Sequence, residues 1–155
     1  MDQKNQIEPF WQNYLNTLPE SDRTISYVGA WGFGDSPEMA DELGHLVKSG
    51  TKTATCSMLW EYEHNNEVMP NEGDIHIILD GNDSPLCIIE IIEVTIKLYN
   101  EVDAQFAYEE GEGDRSLAYW REAHWHFFSR NCSSADTKVR EDMPLVCERF
   151  RVLFP

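Results

Sequence analysis

The chain has 155 residues and carries 12 Lys and Arg against 28 Asp and Glu, which gives a formal net charge of −16. Its length predicts a single domain over residues 1–155, and a hydrophobic content of 41% excludes a disordered acidic segment. Tight, sequence-independent binding of long nucleic acid depends on Lys and Arg releasing counterions from phosphates, so the charge disfavours long RNA or DNA as a partner. A nucleoside or a short RNA in a local cleft remains compatible with it.

The longest apolar run is too short to cross a bilayer, and residues 1–10 lack the apolar segment of a signal peptide. We therefore expect no membrane partner and a cytoplasmic location. The cysteines are far apart in sequence and form no CxxC pattern, so we expect reduced, buried thiols. His124 and His126 lie on different faces of a predicted helix. We accordingly predict neither a metal ion nor another cofactor.

Apolar residues at three- and four-residue steps predict an amphipathic helix at about 5–18. Residues 24–36 begin in a strand-like pattern and then become glycine-rich. Ser36 is placed to cap a second helix, with Pro37 in its first turn. Gly50 is a natural end for that helix, because glycine adopts positive φ without strain.

Alternation over residues 53–60 predicts a strand with two different faces. One face carries Ala54, Cys56, Met58 and Trp60, whereas the other carries the hydroxyls of Thr53, Thr55 and Ser57. A row of hydroxyls indicates that this second face is not packed core.

The later elements predict an α+β domain built around a small β-barrel with flanking helices. The first are strands at 75–80 and 86–96, joined as an antiparallel hairpin by a five-residue loop, and a short helix at about 102–109. A loop at 110–114 follows, and then a helix opened by Asp114 or Arg115 with His124 on its inner side. The last are an exposed polar stretch at 131–138 and a strand at 143–154.

The helix-to-strand junction reads "GTKTAT" at residues 50–55 and contains a single lysine among three threonines. Such a junction is a solvated loop in many proteins. The alternative is a site at which Lys52 activates or holds a group beside Thr55. Basic residues are scarce in this chain, and this lysine has no acidic neighbour in sequence. Both observations are reasons to consider the second interpretation.

This hexapeptide resembles the G-x-K-x-x-T signature of the ASCH domain family, which is similar to the RNA-binding PUA domains. Residues 30–63, 70–94 and 106–128 also resemble, in order, the longer branch of ASCH proteins. The resemblance implies a PUA-like small β-barrel with a cleft lined by the motif. It implies one of two activities: hydrolysis of N4-acetylcytidine, as in short ASCH proteins, or ribonuclease activity, which has been linked to longer ones.

Carried over by the motif, the resemblance implies that the catalytic lysine is Lys52 and the catalytic threonine is Thr55. The third catalytic residue of the short enzymes is a later glutamate, for which Glu110 is the best match and Glu112 the next. This chain reads "CSM" after Thr55, where the short enzymes carry an arginine. The same substrate is therefore not implied.

An amide hydrolase without a metal needs a nucleophile, a base and a proton donor. Lys52 can act as a base only if its pKa is depressed, and a carboxylate beside it would oppose this. Glu110 or Glu112 can serve as the acid or orient the lysine. The sequence leaves this conflict open.

A ribonuclease would instead keep Lys52 charged for phosphate contact. Arg121 and His124, three apart on one helix, would then supply phosphate contact and acid–base chemistry, unless they are an exposed arginine and a core-edge histidine. The predicted substrate-binding residues are Trp31, Phe33, Thr53, Ser57, Glu112, Arg121 and His124. The alternative to both enzymes is a non-catalytic module that binds RNA or a nucleotide in the same cleft.

Overall fold

The computed structural model describes residues 6–155, which form five α-helices, five strands and two short 3-10 turns. In chain order the helices and strands are α1 (Ile7–Leu15), β1 (Gly29–Trp31), α2 (Pro37–Lys48), β2 (Ala54–Met58), α3 (Leu59–His64), β3 (Ile75–Leu79), β4 (Pro85–Leu98), α4 (Ala104–Glu110), α5 (Leu117–Ser134) and β5 (Pro144–Phe154). Within residues 6–155, no helix has the length and apolar character that crossing a bilayer requires.

The strands form one sheet in the order β1-β3-β4-β5-β2. Only β1 and β3 run parallel, while the other three neighbouring pairs are antiparallel. The pairing of β4 with β5 shifts register between Ile88 and Ile89 and again between Ile91 and Glu93. Such bulges bend a strand and increase its twist, so the sheet curls into a half-barrel. The predicted α+β class with flanking helices is confirmed, and the predicted PUA-like small β-barrel is present as this half-barrel.

Helices cover both faces of the β3–β4 hairpin. Ile77 faces α1 and packs in a buried cluster with Trp11, whereas the next residue, Ile78, packs on the opposite face with Val47 of α2. Because both faces are buried, the hairpin strands read as continuous apolar runs. The hairpin and its five-residue loop agree with the prediction.

The other end of the sheet is covered by α4 and α5. Phe106 of α4 and Trp120 and Phe128 of α5 pack with Met58 and Leu145 of the strands in a third buried cluster. This packing fixes the carboxyl end of α4 against the loop that follows α2, where the lysine motif lies.

Three element predictions are wrong in extent. The strand predicted to reach Trp60 ends at Met58, because residues 59–64 form α3, where Trp60 donates its indole N–H to the Met58 sulfur at 3.2 Å. Residues 24–28 are not part of a strand, although the Val28 N–H donates to the Ile75 carbonyl at 2.7 Å, and β1 is limited to three residues. The polar stretch at 131–138 begins inside α5, which buries Cys132 against the core.

The first helix covers Ile7–Leu15 within the predicted 5–18, of which residue 5 lies outside the described residues. Trp11, Tyr14 and Leu15 are its buried residues. Leu18 follows the helix end but still packs against the same cluster, so the predicted apolar stripe extends further than the helix itself.

Replacing Trp11 with alanine removes the largest side chain of α1 from this core. We expect the free energy of unfolding to fall by about 3 kcal/mol, since truncating a buried aromatic leaves a cavity. Urea denaturation measures the change. Asn13→Ala, at an exposed position of the same helix, should change stability by less than about 0.5 kcal/mol. A Trp11→Ala loss no larger than that of the control would contradict the packing described here.

Candidate functional site

The loop after α2 is fixed by backbone hydrogen bonds. Gly50 adopts φ +84° and reverses the chain, and the N–H groups of Thr51 and Lys52 then both donate to the Leu46 carbonyl, at 2.9 and 3.0 Å. This pattern satisfies a carbonyl at the helix end that would otherwise lack a partner. The position of Lys52 therefore follows from how α2 ends.

The next residue connects the loop to two other elements. Thr53 donates its N–H to the Glu109 carbonyl at 2.7 Å, and its own carbonyl accepts from the Phe150 N–H at 3.0 Å. The backbone beside Lys52 is thus held by α4 on one side and β5 on the other.

Lys52 is 1% exposed and forms a buried ion pair with Glu110, which is also 1% exposed. The Lys52 Nζ lies 2.9 Å from Glu110 Oε1 and 3.2 Å from Glu112 Oε2. It also lies 5.6 Å from the centre of the Phe33 ring. A lysine without an acidic neighbour in sequence thus acquires two carboxylates through the fold.

The second oxygen of Glu110 accepts from three further side chains. The Trp120 indole N–H is 2.5 Å from Oε2, His124 Nε2 is 3.1 Å away and the Cys56 thiol is 3.4 Å away. A buried carboxylate is tolerated only when donors replace its lost water. Here four side chains share one carboxylate.

The charged forms of Lys52 and Glu110 stabilise each other. Burial alone would lower the pKa of Lys52, but the Glu110 and Glu112 carboxylates outweigh it and raise this pKa above its usual value. Burial would likewise raise the pKa of Glu110, but the positive charges of Lys52 and His124 hold it well below its usual value. Lys52 is therefore an ammonium group at neutral pH.

The surroundings of His124 favour a proton on both ring nitrogens. Its Nδ1 lies 2.8 Å from the Trp120 carbonyl, which can only accept, and its Nε2 faces the ionised Glu110. Burial lowers the pKa of His124, yet the neighbouring Glu110 charge reverses this and raises the pKa overall. The buried Glu110 carboxylate is thus surrounded by two groups, Lys52 and His124, whose positively charged forms are favoured.

Cys56, Glu110 and His124 offer possible metal-ligand atoms within 4.8 Å of one another. The Glu110 carboxylate is already occupied by the four donors, and the Lys52 ammonium supplies a positive charge beside it. A divalent ion would have to displace these protonated groups. The donor set therefore suits an ion-pair cluster better than a metal centre.

Two adjoining cavities open beside the cluster. The first, the lysine cavity, has a volume of about 320 Å³, and its lining includes Phe33, Lys52, Thr55, Glu110, Glu112 and His124. The second, the acid cavity, has a volume of about 420 Å³, and its lining includes Trp31, Ser57, Glu61, Asp74, His76 and Glu148. The two cavities adjoin along the residues that line both, which are Phe33, Gly34, Thr55, Cys56 and Phe127.

The predicted catalytic set is thus brought to one place. Lys52, Thr55 and Glu110 line the lysine cavity together with the predicted binding residues Phe33, Glu112 and His124. Trp31 and Ser57 line the acid cavity instead.

Two predicted binding residues lie elsewhere. Thr53 is exposed and donates its hydroxyl to the Glu109 carbonyl at 3.3 Å, outside both cavities. Arg121 does not share the face of His124: it is exposed and lines a separate depression beside Tyr99 and Trp125. A step of three residues is less than a full helical turn, so Arg121 is rotated around α5 away from His124. Because Trp120 and His124 pack against the core, Arg121 is turned toward solvent.

Sequence reasoning missed Trp120 and Cys56 as partners of Glu110. Trp120 lies four positions before His124 on α5, and their rings stack at 4.2 Å. That spacing places two N–H donors on one helix face and is a usable signal. Nothing in the sequence indicates the contact of the Cys56 thiol, which depends on how β2 meets α4.

The curled five-stranded sheet with flanking helices places the chain among the PUA-like α+β domains. The model of the ASCH domain family matches residues 29–154, and the chain belongs to this family. The family resemblance drawn from the "GTKTAT" motif is thereby confirmed.

Solved structures agree with this assignment. An ASCH domain from Lactobacillus crispatus JV V101 is 36% identical, with a TM-score of 0.92 and coverage of 97% of this chain and 96% of that one. Protein EF3133 from Enterococcus faecalis V583 is 40% identical, with a TM-score of 0.87 and coverage of 97% and 89%. The hypothetical protein PH0355, at 15% identity and a TM-score of 0.51 over 80% and 97% of the two chains, shares the fold alone. No curated protein matches the chain.

Gly111 ends α4 with φ +74°, and a Cβ there would lie 2.6 Å from the Thr51 carbonyl oxygen. We expect Gly111→Ala to lower the free energy of unfolding by about 3 kcal/mol, from backbone strain plus overpacking. Gly50→Ala is the matched control, because Gly50 has φ +84° but a Cβ added there would meet no atom within 4 Å. Gly50→Ala should lower the free energy of unfolding by about 1 kcal/mol, from backbone strain alone. Equal losses in urea denaturation would show that the close approach is unimportant.

Replacing Glu110 with glutamine leaves Lys52 and His124 buried without their counter-charge. We expect a loss of about 3 kcal/mol in the free energy of unfolding at neutral pH. Glu112→Gln, at a partly exposed partner of the same lysine, should lose clearly less.

The pH dependence of this loss follows from the depressed pKa of Glu110. Its stabilising effect is complete above the ordinary value of 4.5 and is lost as the pH falls toward the depressed value. The gap between wild type and Glu110→Gln should therefore narrow below about pH 4.5 in thermal or urea melts. A gap that instead widens on acidification would contradict an ionised, stabilising Glu110.

Proposed function

We propose that this chain is a hydrolase of N-acylated nucleosides, of which N4-acetylcytidine is the test case, and that it acts through Lys52 and Thr55. The observation that carries the proposal is a lysine kept charged by the buried Glu110 and the partly buried Glu112, in the lining of a cavity that Thr55 also lines. Membership of the ASCH family supports the same residues through their motif. A cavity of about 320 Å³ lies within the usual size range of small-ligand sites.

In this proposal Lys52 is not the base. Its raised pKa keeps the ammonium protonated, so it acts by stabilising the negative charge that develops on the acyl oxygen during attack. Glu110 and Glu112 hold the ammonium group in place. Of the two roles open to the lysine, base or fixed positive charge, the proposal therefore takes the second.

Thr55 is the nucleophile in this scheme. Its side chain lines both cavities, so an acyl group and a nucleobase can lie on opposite sides of it. The aromatic ring of Phe33 beside it offers an apolar surface for either part.

The ribonuclease alternative receives less support. The acid cavity is lined by Glu61, Glu67, Asp74 and Glu148, and by no lysine or arginine among the described residues. This charge opposes a phosphodiester backbone that continues past the reacting group. A neutral nucleoside does not meet that barrier.

The test compares Lys52→Met and Lys52→Arg with wild type in hydrolysis of N4-acetylcytidine, followed by chromatography. We expect Lys52→Met to lose on the order of 10² to 10³ in kcat, as when one oxyanion donor is removed. Lys52→Arg should keep a measurable part of the wild-type kcat, because the positive charge is retained. Lys48→Met, at the exposed end of α2, is the control for loss of a lysine and should keep the full rate.

Two outcomes would contradict this proposal in different ways. If Lys52→Arg folded normally and were as inactive as Lys52→Met, the lysine would be acting as a proton acceptor instead. If wild type bound N4-acetylcytidine without turning it over, the chain would be the non-catalytic binding module.

A further inference from the structure

The proposed reaction requires a group that takes the proton from Thr55. In the cluster around Lys52, burial lowers the pKa of Lys52 and of His124, but the neighbouring carboxylates outweigh it and raise both pKa values, which favours the protonated forms. Both Glu110 and Glu112 accept hydrogen bonds from Lys52, and the pKa of Glu110 is held far below neutrality by Lys52 and His124 in spite of its burial. The proton acceptor must therefore be sought on the other side of Thr55.

Glu148 lies on that side. It belongs to β5 and is the direct partner of Thr55 in the antiparallel ladder between β2 and β5. Side chains of directly opposed residues project from the same face of a sheet, with Cβ atoms about 5 Å apart. Both residues line the acid cavity, so the carboxyl group and the hydroxyl face the same space.

The Glu148 carboxyl group is not engaged elsewhere. It is half-buried, yet it forms no hydrogen bond or ion pair with another side chain within residues 6–155. This contrasts with Glu110, whose oxygens are shared by four donors. A carboxyl group in a cavity without a structural partner is available to a substrate or to a neighbouring hydroxyl.

We propose, on the basis of the hydrolase function above, that Glu148 is the residue that accepts the proton of Thr55 and returns it to the leaving nitrogen. Burial and the neighbouring Asp74 raise the pKa of Glu148, and Lys52 lowers it, with the result at about 7. Both protonation states are therefore populated near neutral pH, as a residue that alternates between base and acid requires.

Atoms and charges balance over the two half-reactions. The Thr55 oxygen bonds to the acyl carbon while Glu148 takes the hydroxyl proton, and the carbonyl electron pair moves to oxygen beside the Lys52 ammonium. When that pair returns, the carbon–nitrogen bond breaks, and the protonated Glu148 delivers its proton to the departing nitrogen. Water then attacks the acyl-threonine carbon and gives a proton to Glu148. The bond between that carbon and the Thr55 oxygen breaks as Glu148 returns the proton to this oxygen, which releases the carboxylic acid and restores both residues.

Several groups besides Thr55 face Glu148 and bear on its titration. They are Asp74 and His76 at the start of β3, Glu61, Tyr62 and Glu67 in and after α3, and Lys52 before β2. Cys56 also lines the cavity, but its thiol donates to Glu110. On β4 the residue opposite Glu148 is the uncharged Val94.

The test follows acetylation of Thr55 by p-nitrophenyl acetate as a function of pH, with the modified residue located by peptide mass mapping. This probe needs no nucleoside recognition. In wild type we expect the rate of Thr55 acetylation to rise with pH through a midpoint near 7, because the ionised carboxylate is the acceptor. Glu148→Gln should slow it by on the order of 10²-fold and remove the rise.

Two further variants separate chemistry from structure. Glu148→Asp keeps a carboxylate and should retain the rise with pH at a reduced rate. Glu90→Gln, the same substitution on β4 outside both cavities, should match wild type in rate and profile, because Glu90 pairs with Arg151 at the surface. Thermal melts verify that each variant is folded.

The inference is overturned if folded Glu148→Gln acetylates Thr55 with the wild-type rate and pH profile. It is also overturned if Thr55 is not acetylated in wild type at any pH. In either case hydrolysis of N4-acetylcytidine by wild type and by the Lys52 variants still decides the proposed function separately. If wild type did not hydrolyse N4-acetylcytidine but Thr55 acetylation still depended on Glu148, only the assignment of the nucleoside substrate would be wrong.

Discussion

The buried ion pair between Lys52 and Glu110 is the interaction on which the site depends. Taking both charges out of water is costly, and the cost is offset only because further donors and acceptors complete the pair. Trp120 and His124 from α5 and Cys56 from β2 all reach the same carboxylate. The pair therefore joins the loop after α2 to α4, α5 and β2, and the cavity beside it forms where these elements meet.

The ion pair also determines what the lysine can do. A lysine in an apolar pocket loses its proton readily, whereas a lysine between two carboxylates keeps it. The same fold with neutral residues at both positions 110 and 112 would have offered a base instead of a fixed positive charge. Proton transfer must then be the work of another group, and the ladder between β2 and β5 places a carboxyl group directly opposite the threonine.

Much of the fold is readable from local patterns. The capping of α2 by Ser36, the turn at Gly50 and the β3–β4 hairpin all rest on interactions between residues close in sequence. The extents of β2 and α5 differ from the prediction, because Trp60 of α3 and Cys132 of α5 pack in a core cluster whose members come from distant parts of the chain. Periodicity contains no information about those contacts.

The site is predictable only in part. Its lysine, threonine and glutamate are found through the motif and the family resemblance, because motif residues are adjacent in sequence or similar in relatives. The opposition of Thr55 and Glu148 depends on the register of two strands that are separated by most of the chain. The position of Arg121 on the far side of α5 depends on how that helix is rotated against the core. Neither the register of these strands nor the rotation of this helix can be obtained from sequence spacing alone.

The sharing of one carboxylate by four side chains has an evolutionary consequence. Side chains in one hydrogen-bonded network do not contribute independently, so the effect of changing one depends on the others. A substitution at Lys52 alone leaves the buried Glu110 carboxylate with less positive charge around it. A substitution at Glu110 alone leaves Lys52 and His124 buried without their counter-charge. Among relatives of this chain, these positions should therefore be retained together or replaced together, as a single inherited unit with few viable intermediates.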